Sequence, residues 1–173
     1  MSIHNTSHTA GGTLGKPPES GSSPAKTHRQ KVRVLKSLVE NQGTAAHGEH
    51  QLLLKLVQAP QHISRLSKFP YLKDFEWFLS PNRQDLGRGD AMFVDKTGGK
   101  VLILELKTLH MGSSKTARTA RNAARKKAKQ QAAYYAAHYK RMHPQFQVFA
   151  GTCCEQLSVS LQKGDTYPQV SIL

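Results

Sequence analysis

The chain has 173 residues, with 25 lysines and arginines against 11 aspartates and glutamates, a net charge of +14 and a pI near 10.0. That length suits one domain with a sizeable core, and no apolar run is long enough for a transmembrane helix. The charge points to a polyanionic partner, nucleic acid first, although a ribosomal or chromatin protein or an anionic membrane surface would suit it too, and it leaves the activity open.

Met1 to His28 is rich in Gly, Ser, Thr, Pro and His and almost free of aromatic and aliphatic residues. Such a segment buries too little to order itself, so residues 1–28 are expected to form a disordered polar tail and 29–173 the domain. The tail has no apolar stretch of the signal-peptide kind, and His4, His8 and His28 are too scattered for a metal site. Val32, Leu35, Leu38 and Val39 predict a short amphipathic helix from Gln30 to Glu40, broken near Asn41-Gln42-Gly43.

A second helix is expected from Thr44 to Val57, with Leu52, Leu53 and Leu56 on one face. Glu49 falls on that same face. Two readings of it stand: a first-turn acid favoured by the helix dipole, or an acid turned toward a site.

Gln58 to Lys73 reads as irregular, and Phe75 to Leu79 as a strand leading into the turn residues Ser80 to Gln84. Gly87 and Gly89 flank Arg88, where they would let a phosphate come close; a plain loop accounts for them equally well.

Gly89 to Val94 and Val101 to Lys107 then form two strands, separated by the glycine-bearing turn Lys96-Thr97-Gly98-Gly99. If Thr97 and Gly98 form the tip of an antiparallel hairpin, paired residue numbers sum to 195 and Asp90 faces Glu105. A tip at Gly98-Gly99 changes the sum to 197 and still leaves Asp90 on the face of Glu105 and Lys107. Leu102, Leu104 and Leu106 fill the opposite face, so the second strand is expected to be covered on both sides. Two close, desolvated carboxylates repel each other unless a cation lies between them, and hard oxygen ligands suit Mg²⁺ or Mn²⁺. An adjacent ammonium can orient a nucleophile and stabilise developing negative charge. Phosphodiester hydrolysis requires those parts.

The next helix, Ala117 to Met142, contains no acid, and no carboxylate occurs between Glu105 and Glu155. A helix of one sign repels itself unless a polyanion lies alongside, which makes Lys115, Arg118, Arg121, Arg125, Lys126, Lys127 and Lys129, with Arg88, the candidate nucleic-acid contacts. Arg125 to Lys129 could also serve as a nuclear address, but its place inside a helix makes phosphate contact the more economical reading. Ala117, Ala120, Ala124, Ala128, Gln131, Tyr135, His138 and Met142 make the face expected to pack on the sheet. A rival register with Gln130 and Tyr134 shares its face with Lys127 and Arg141 and would look toward solvent or phosphate.

Phe146 to Cys153, Val159 to Leu161 and Val170 to Leu173 read as further strands. Cys153 and Cys154 are adjacent, cannot easily bridge each other and lack spaced partners for zinc or an iron-sulfur cluster. Reduced thiols point to an intracellular compartment.

Asp90 on one strand and Glu105-Leu106-Lys107 on the next resemble the PD-(D/E)XK nuclease superfamily, over roughly residues 45–153 and with Gly89 in place of the proline of the motif's name. Gln131 and Tyr135 resemble the Gln-X-X-X-Tyr helix of its RecB-type members, although the cysteine-bound cluster of some relatives has no counterpart here. The resemblance implies a restriction-endonuclease-like three-layer α/β sandwich with an αβββαβ core and a mixed sheet. It further implies a Mg²⁺-dependent (or Mn²⁺-dependent) deoxyribonuclease, of the kind used in DNA repair or recombination and equally in restriction, mobile-element and viral contexts, so the biological role stays open. Asp90 and Glu105 would hold metal, Glu49 would support the metal site, Lys107 would position the attacking water, and Gln131 and Tyr135 would orient the site. Two other readings remain: a catalytically inactive, basic nucleic-acid-binding module on the same fold, and a structural basic protein whose acids are salt-bridged to Lys107 and nearby arginines. DNA against RNA, end against internal cleavage and oligomeric state stay open.

Overall fold

The computed structural model describes residues 22–42, 48–58, 65–79, 87–108, 113–154 and 159–161. In chain order the elements are α1 (Pro24–Gln42), α2 (Gly48–Gln58), a 3₁₀ turn (Leu66–Lys68), β1 (Tyr71–Phe78), β2 (Arg88–Val94), β3 (Lys100–Lys107), α3 (Lys115–Met142), β4 (Gln147–Cys154) and β5 (Val159–Leu161). The five strands form one sheet in the order β1-β2-β3-β4-β5, parallel between β3 and β4 and antiparallel elsewhere. A parallel pair needs a crossover connection, and α3 provides it. The class is therefore α/β with a mixed sheet.

Alternation along β3 divides the core in two. Leu102, Leu104 and Leu106 join Leu35 of α1 and Leu53 and Leu56 of α2 on one face; Val101 and Ile103 join Ala132, Tyr135 and Ala136 of α3 on the other. The sheet thus lies between α1 with α2 and α3, and the central strand is covered on both sides as its leucines predicted. Among the described residues, no helix is long and apolar enough to cross a membrane.

The hairpin register follows the sum of 195, with Ala91 opposite Leu104 and Val94 opposite Val101. Gly98 supplies the positive φ (76°) of the turn, and Asp95 locks it by accepting from the Thr97 hydroxyl at 2.7 Å and the Lys100 amide at 3.1 Å.

Three expectations need correction. Residues 24–28, assigned to the tail, are the first turns of α1, which runs onto β1: the His28 Nδ1 accepts the Leu72 amide at 2.9 Å and Lys31 reaches Asp74 at 2.6 Å. β1 begins at Tyr71, inside the segment read as irregular, because the register shifts between Leu72 and Asp74 and the bulge breaks the two-residue alternation. On α3 the buried stripe is Ala128, Ala132, Tyr135, Ala136 and Tyr139, while Ala120 is exposed and Met142 is half exposed. In its first turns no residue is buried, although Ala117, Arg121 and Ala124 are half-buried. The predicted turn at Ser80 to Gln84 and strand at Val170 to Leu173, and residues 1–21, lie outside the described residues.

Candidate functional site

The site assembles at the end of the β2–β3 hairpin, on the face that α3 covers. Asp90 lies one step beyond the Ala91–Leu104 pair, which sets it across from Glu105. The Asp90 Oδ2 accepts the Leu106 amide at 2.7 Å, so the backbone of β3 holds the carboxylate that the facing strand presents. Glu105 is 2 % exposed, and its Oε2 has no hydrogen-bond partner. An unpaired buried carboxylate oxygen is costly unless something occupies it.

Lys107, two residues on, shares that face. Its Nζ donates to Glu49 Oε1 at 3.0 Å and stands 3.9 Å from Glu105 Oε1. The contact with Glu49 depends on the start of α2 pressing against the end of β3: a Cβ at Gly48 would stand 2.6 Å from Thr108 Cγ2, closer than any side chain allows. Glycine at that position lets the helix approach closely enough for its first-turn acid to reach Lys107.

These groups set one another's proton affinities. Burial, then the Asp90 charge, pushes the Glu105 carboxyl up to about 8. Burial also raises Asp90, although the Leu106 amide and the Lys107 charge act against it. For Lys107 burial favours the neutral amine, but the hydrogen bond to Glu49 and the charges of Asp90, Glu49 and Glu105 outweigh it and raise the ammonium's pKa. The Tyr135 hydroxyl is raised by burial and by the Glu105 charge, while a hydrogen bond with Gln131 partly offsets them. Tyr135 therefore sits within the field of the two acids.

Of the two registers weighed for α3, Gln131 and Tyr135 face the sheet: Tyr135 is buried, while Gln130 and Tyr134 are exposed. The Gln131 Oε1 is a second buried acceptor without a partner. Two orphaned acceptors in the neighbourhood of two close carboxylates suit a hydrated cation, which takes oxygen ligands and donates hydrogen bonds through its waters. The donor set is incomplete as folded, because among the described residues no three His, Cys, Asp or Glu side chains gather into a ligand group. Glu49 bonds to Lys107 instead of joining the two acids as a third ligand.

Other expected site residues lie elsewhere or act differently. Arg88 pairs through Nη2 with Glu76 Oε1 at 3.2 Å, and the same oxygen meets His50 Nε2 at 3.1 Å. Glu76 has φ of 48°, a left-handed conformation that a strand interior rarely contains. Sequence reading missed both His50 and Glu76, since neither spacing nor residue type signals a local inversion of the backbone. Gly89 also has a reason other than phosphate approach. It pairs with Trp77, and a Cβ there would stand 2.7 Å from the indole Nε1, so glycine lets the ring lie across β2. Gly87, with φ of 95°, gives room to the Tyr135 hydroxyl, 2.8 Å from where a Cβ would be.

Lys115, Arg118, Arg125, Lys126, Lys127 and Lys129 are exposed along α3 and Arg121 is half-buried. Ser114 caps the helix by accepting the Ala117 amide at 3.1 Å. Cys153 is buried and Cys154 partly so, and both are free thiols. Comparison with protein-family models, curated proteins and solved structures returns no match for this chain.

Proposed function

We propose that the chain is a Mg²⁺- or Mn²⁺-dependent nuclease of the PD-(D/E)XK type that hydrolyses phosphodiester bonds in DNA. The observation that carries this reading is the pairing of half-buried Asp90 with buried Glu105, with an orphaned Glu105 oxygen, beside the ammonium of Lys107. The order of helices and strands, with a parallel β3–β4 pair and Gln131 and Tyr135 turned inward, supports a restriction-endonuclease-like arrangement.

Asp90 and Glu105 would hold the ion, which when bound supplies Lewis acidity that activates water and shields the phosphate. Lys107 carries a fixed positive charge next to them, and Glu49 aims it by accepting one of its three protons. The two remaining donors are available to orient the attacking water and to stabilise charge on the phosphoryl oxygens. Water oxygen attacks phosphorus, the phosphorus–oxygen bond to the leaving sugar breaks, and the released oxygen takes up a proton. The Leu106 amide keeps Asp90 in place through the reaction, and Gln131 with Tyr135 closes the site on the α3 side.

A second reading, a basic nucleic-acid-binding module without activity, is favoured by the lack of a ready three-ligand group among the described residues. Cleavage of labelled DNA with and without EDTA separates the two. The nuclease reading expects cleavage that needs the divalent ion and is lost in Glu105→Ala; cleavage unchanged in that variant, or binding without cleavage under either ion, overturns it.

A further inference from the structure

Two contacts set the direction in which α3 crosses the sheet. Tyr139 accepts from Lys73 Nζ at 2.9 Å near the start of β1, whereas the Tyr135 hydroxyl lies against Gly87, next to the Arg88 that pairs with Phe78 at the far end of β1. Moving toward the N-terminus of α3 therefore means moving toward the end of the sheet that carries Asp90 and Lys107, and then past it. From Lys115 to Lys127 the helix has no buried residue. At about 1.5 Å per residue the overhang is about 20 Å long, next to the candidate site.

The basic residues of that overhang are not scattered around the helix. Seven residues make nearly two turns, so positions seven apart share a face. Arg125 stands seven residues ahead of Ala132 and fourteen ahead of Tyr139, Arg118 stands fourteen ahead of Ala132, and Arg121 stands seven and fourteen ahead of Ala128 and Tyr135, all four of those being buried against the sheet. All three arginines of the overhang thus continue the sheet-facing stripe beyond the sheet. Lys126 and Lys127 are on the opposite side, in series with Ala133 and the half-exposed Tyr134. Arginine and lysine are not equivalent here, since the guanidinium fork makes paired hydrogen bonds to a phosphate and the ammonium acts as a point charge.

Resting on the nuclease reading of the site, we infer that Arg118, Arg121 and Arg125 form a rail that grips the phosphates of the nucleic-acid strand leading away from Lys107, while Lys126 and Lys127 supply only diffuse attraction. From Arg118 to Arg125 the rail rises about 10.5 Å. A duplex strand advances about 3.4 Å of axis per phosphate, so the rail spans about three nucleotides on one side of the bond to be cut. Contacts of this kind address the backbone and carry no base preference.

The experiment is equilibrium binding of a labelled duplex and of its single strand in EDTA over a series of salt concentrations. It compares wild type with R118A/R121A/R125A, with R118K/R121K/R125K and with K126A/K127A, each checked for helix content. Each phosphate contact contributes about 0.9 to the log–log salt slope for duplex and about 0.7 for single strands. The alanine triple is expected to lower the slope by about 2.7 on duplex or about 2 on single strand. The lysine triple should keep the slope and bind more weakly, and K126A/K127A should change the slope by less than about one. A slope that falls as much in K126A/K127A as in a comparable share of the alanine triple, or a lysine triple indistinguishable from wild type, overturns the rail. Cleavage is read separately: slope loss in a protein that never cleaves leaves the rail standing and rejects the nuclease, whereas cleavage with an unchanged slope does the reverse.

Discussion

Asp90 and Leu106 are 16 residues apart in sequence and joined by a 2.7 Å hydrogen bond from the Leu106 amide to the Asp90 carboxylate. The residue between Glu105 and Lys107 thereby holds the acid that faces them. One bond couples the two strands at the point where their pairing ends and charges replace leucines, and it fixes the Asp90 carboxylate from the backbone of the facing strand.

That bond separates structure from chemistry in two substitutions. Asp90→Ala leaves the Leu106 amide without its partner, at a cost of about 1–3 kcal/mol, whereas Asp90→Asn keeps an oxygen acceptor and should stay closer to wild type. Both should lose metal-dependent cleavage. Urea unfolding in EDTA checks the order, and equal stabilities for the two variants would contradict the role assigned to the bond.

The Glu105 carboxyl, at about 8 in the folded protein because of burial and the Asp90 charge, lies above its unfolded value of 4.5. The folded state holds that proton more tightly, so the stabilisation is complete below the unfolded value and is lost as pH rises through the folded one. Asp90 is shifted in the same direction, and the raised Lys107 acts only at higher pH. Melting temperature in EDTA should fall between about pH 7 and pH 9, above the range in which the lowered His28 and His143 act in the opposite sense. Added Mn²⁺ should reverse the fall, and Glu105→Gln should flatten it. A melting temperature that is level with pH and indifferent to metal would contradict the electrostatic account.

Lys107→Ala removes the ammonium that Glu49 aims into the site. Loss of one preorganised charge donor costs about 10²–10³ in rate, and a single phosphate contact matters far less to binding. Single-turnover cleavage beside equilibrium binding tests this; a variant that loses affinity in proportion to rate would make Lys107 a simple phosphate contact.

Gly89 sits beneath the Trp77 indole, with 2.7 Å between the ring and the place a Cβ would take. Gly89→Ala must displace a buried ring, and we expect about 1–3 kcal/mol of destabilisation, seen in denaturant unfolding with tryptophan fluorescence as probe. A neutral substitution would mean that the close approach is not needed.

The hairpin was legible in the sequence because a glycine turn and a strict alternation of leucines leave few registers, and every even shift preserves the shared face of Asp90, Glu105 and Lys107. The inward register of Gln131 and Tyr135 was legible for a similar reason, since the alternative placed basic residues on the sheet. Other features depend on tertiary contacts that no local pattern contains. The bulge after Leu72 hid the start of β1, and the α1 turns that carry His28 are ordered by β1. Glu49 illustrates the same limit: its helix face was readable, but its partner, Lys107, lies 58 residues away. Gly89 was readable as a glycine and unreadable as the floor of a tryptophan.

The most direct measurement is cleavage of labelled single-stranded, duplex and branched DNA, with RNA alongside, in Mg²⁺, Mn²⁺ or EDTA, by wild type and by the variant carrying Asp90→Ala and Glu105→Ala. The account predicts cleavage of DNA by wild type that requires a divalent ion and is absent in the variant. Nucleic acid bound but left intact by wild type under every ion, or cut equally well by both proteins, would contradict it.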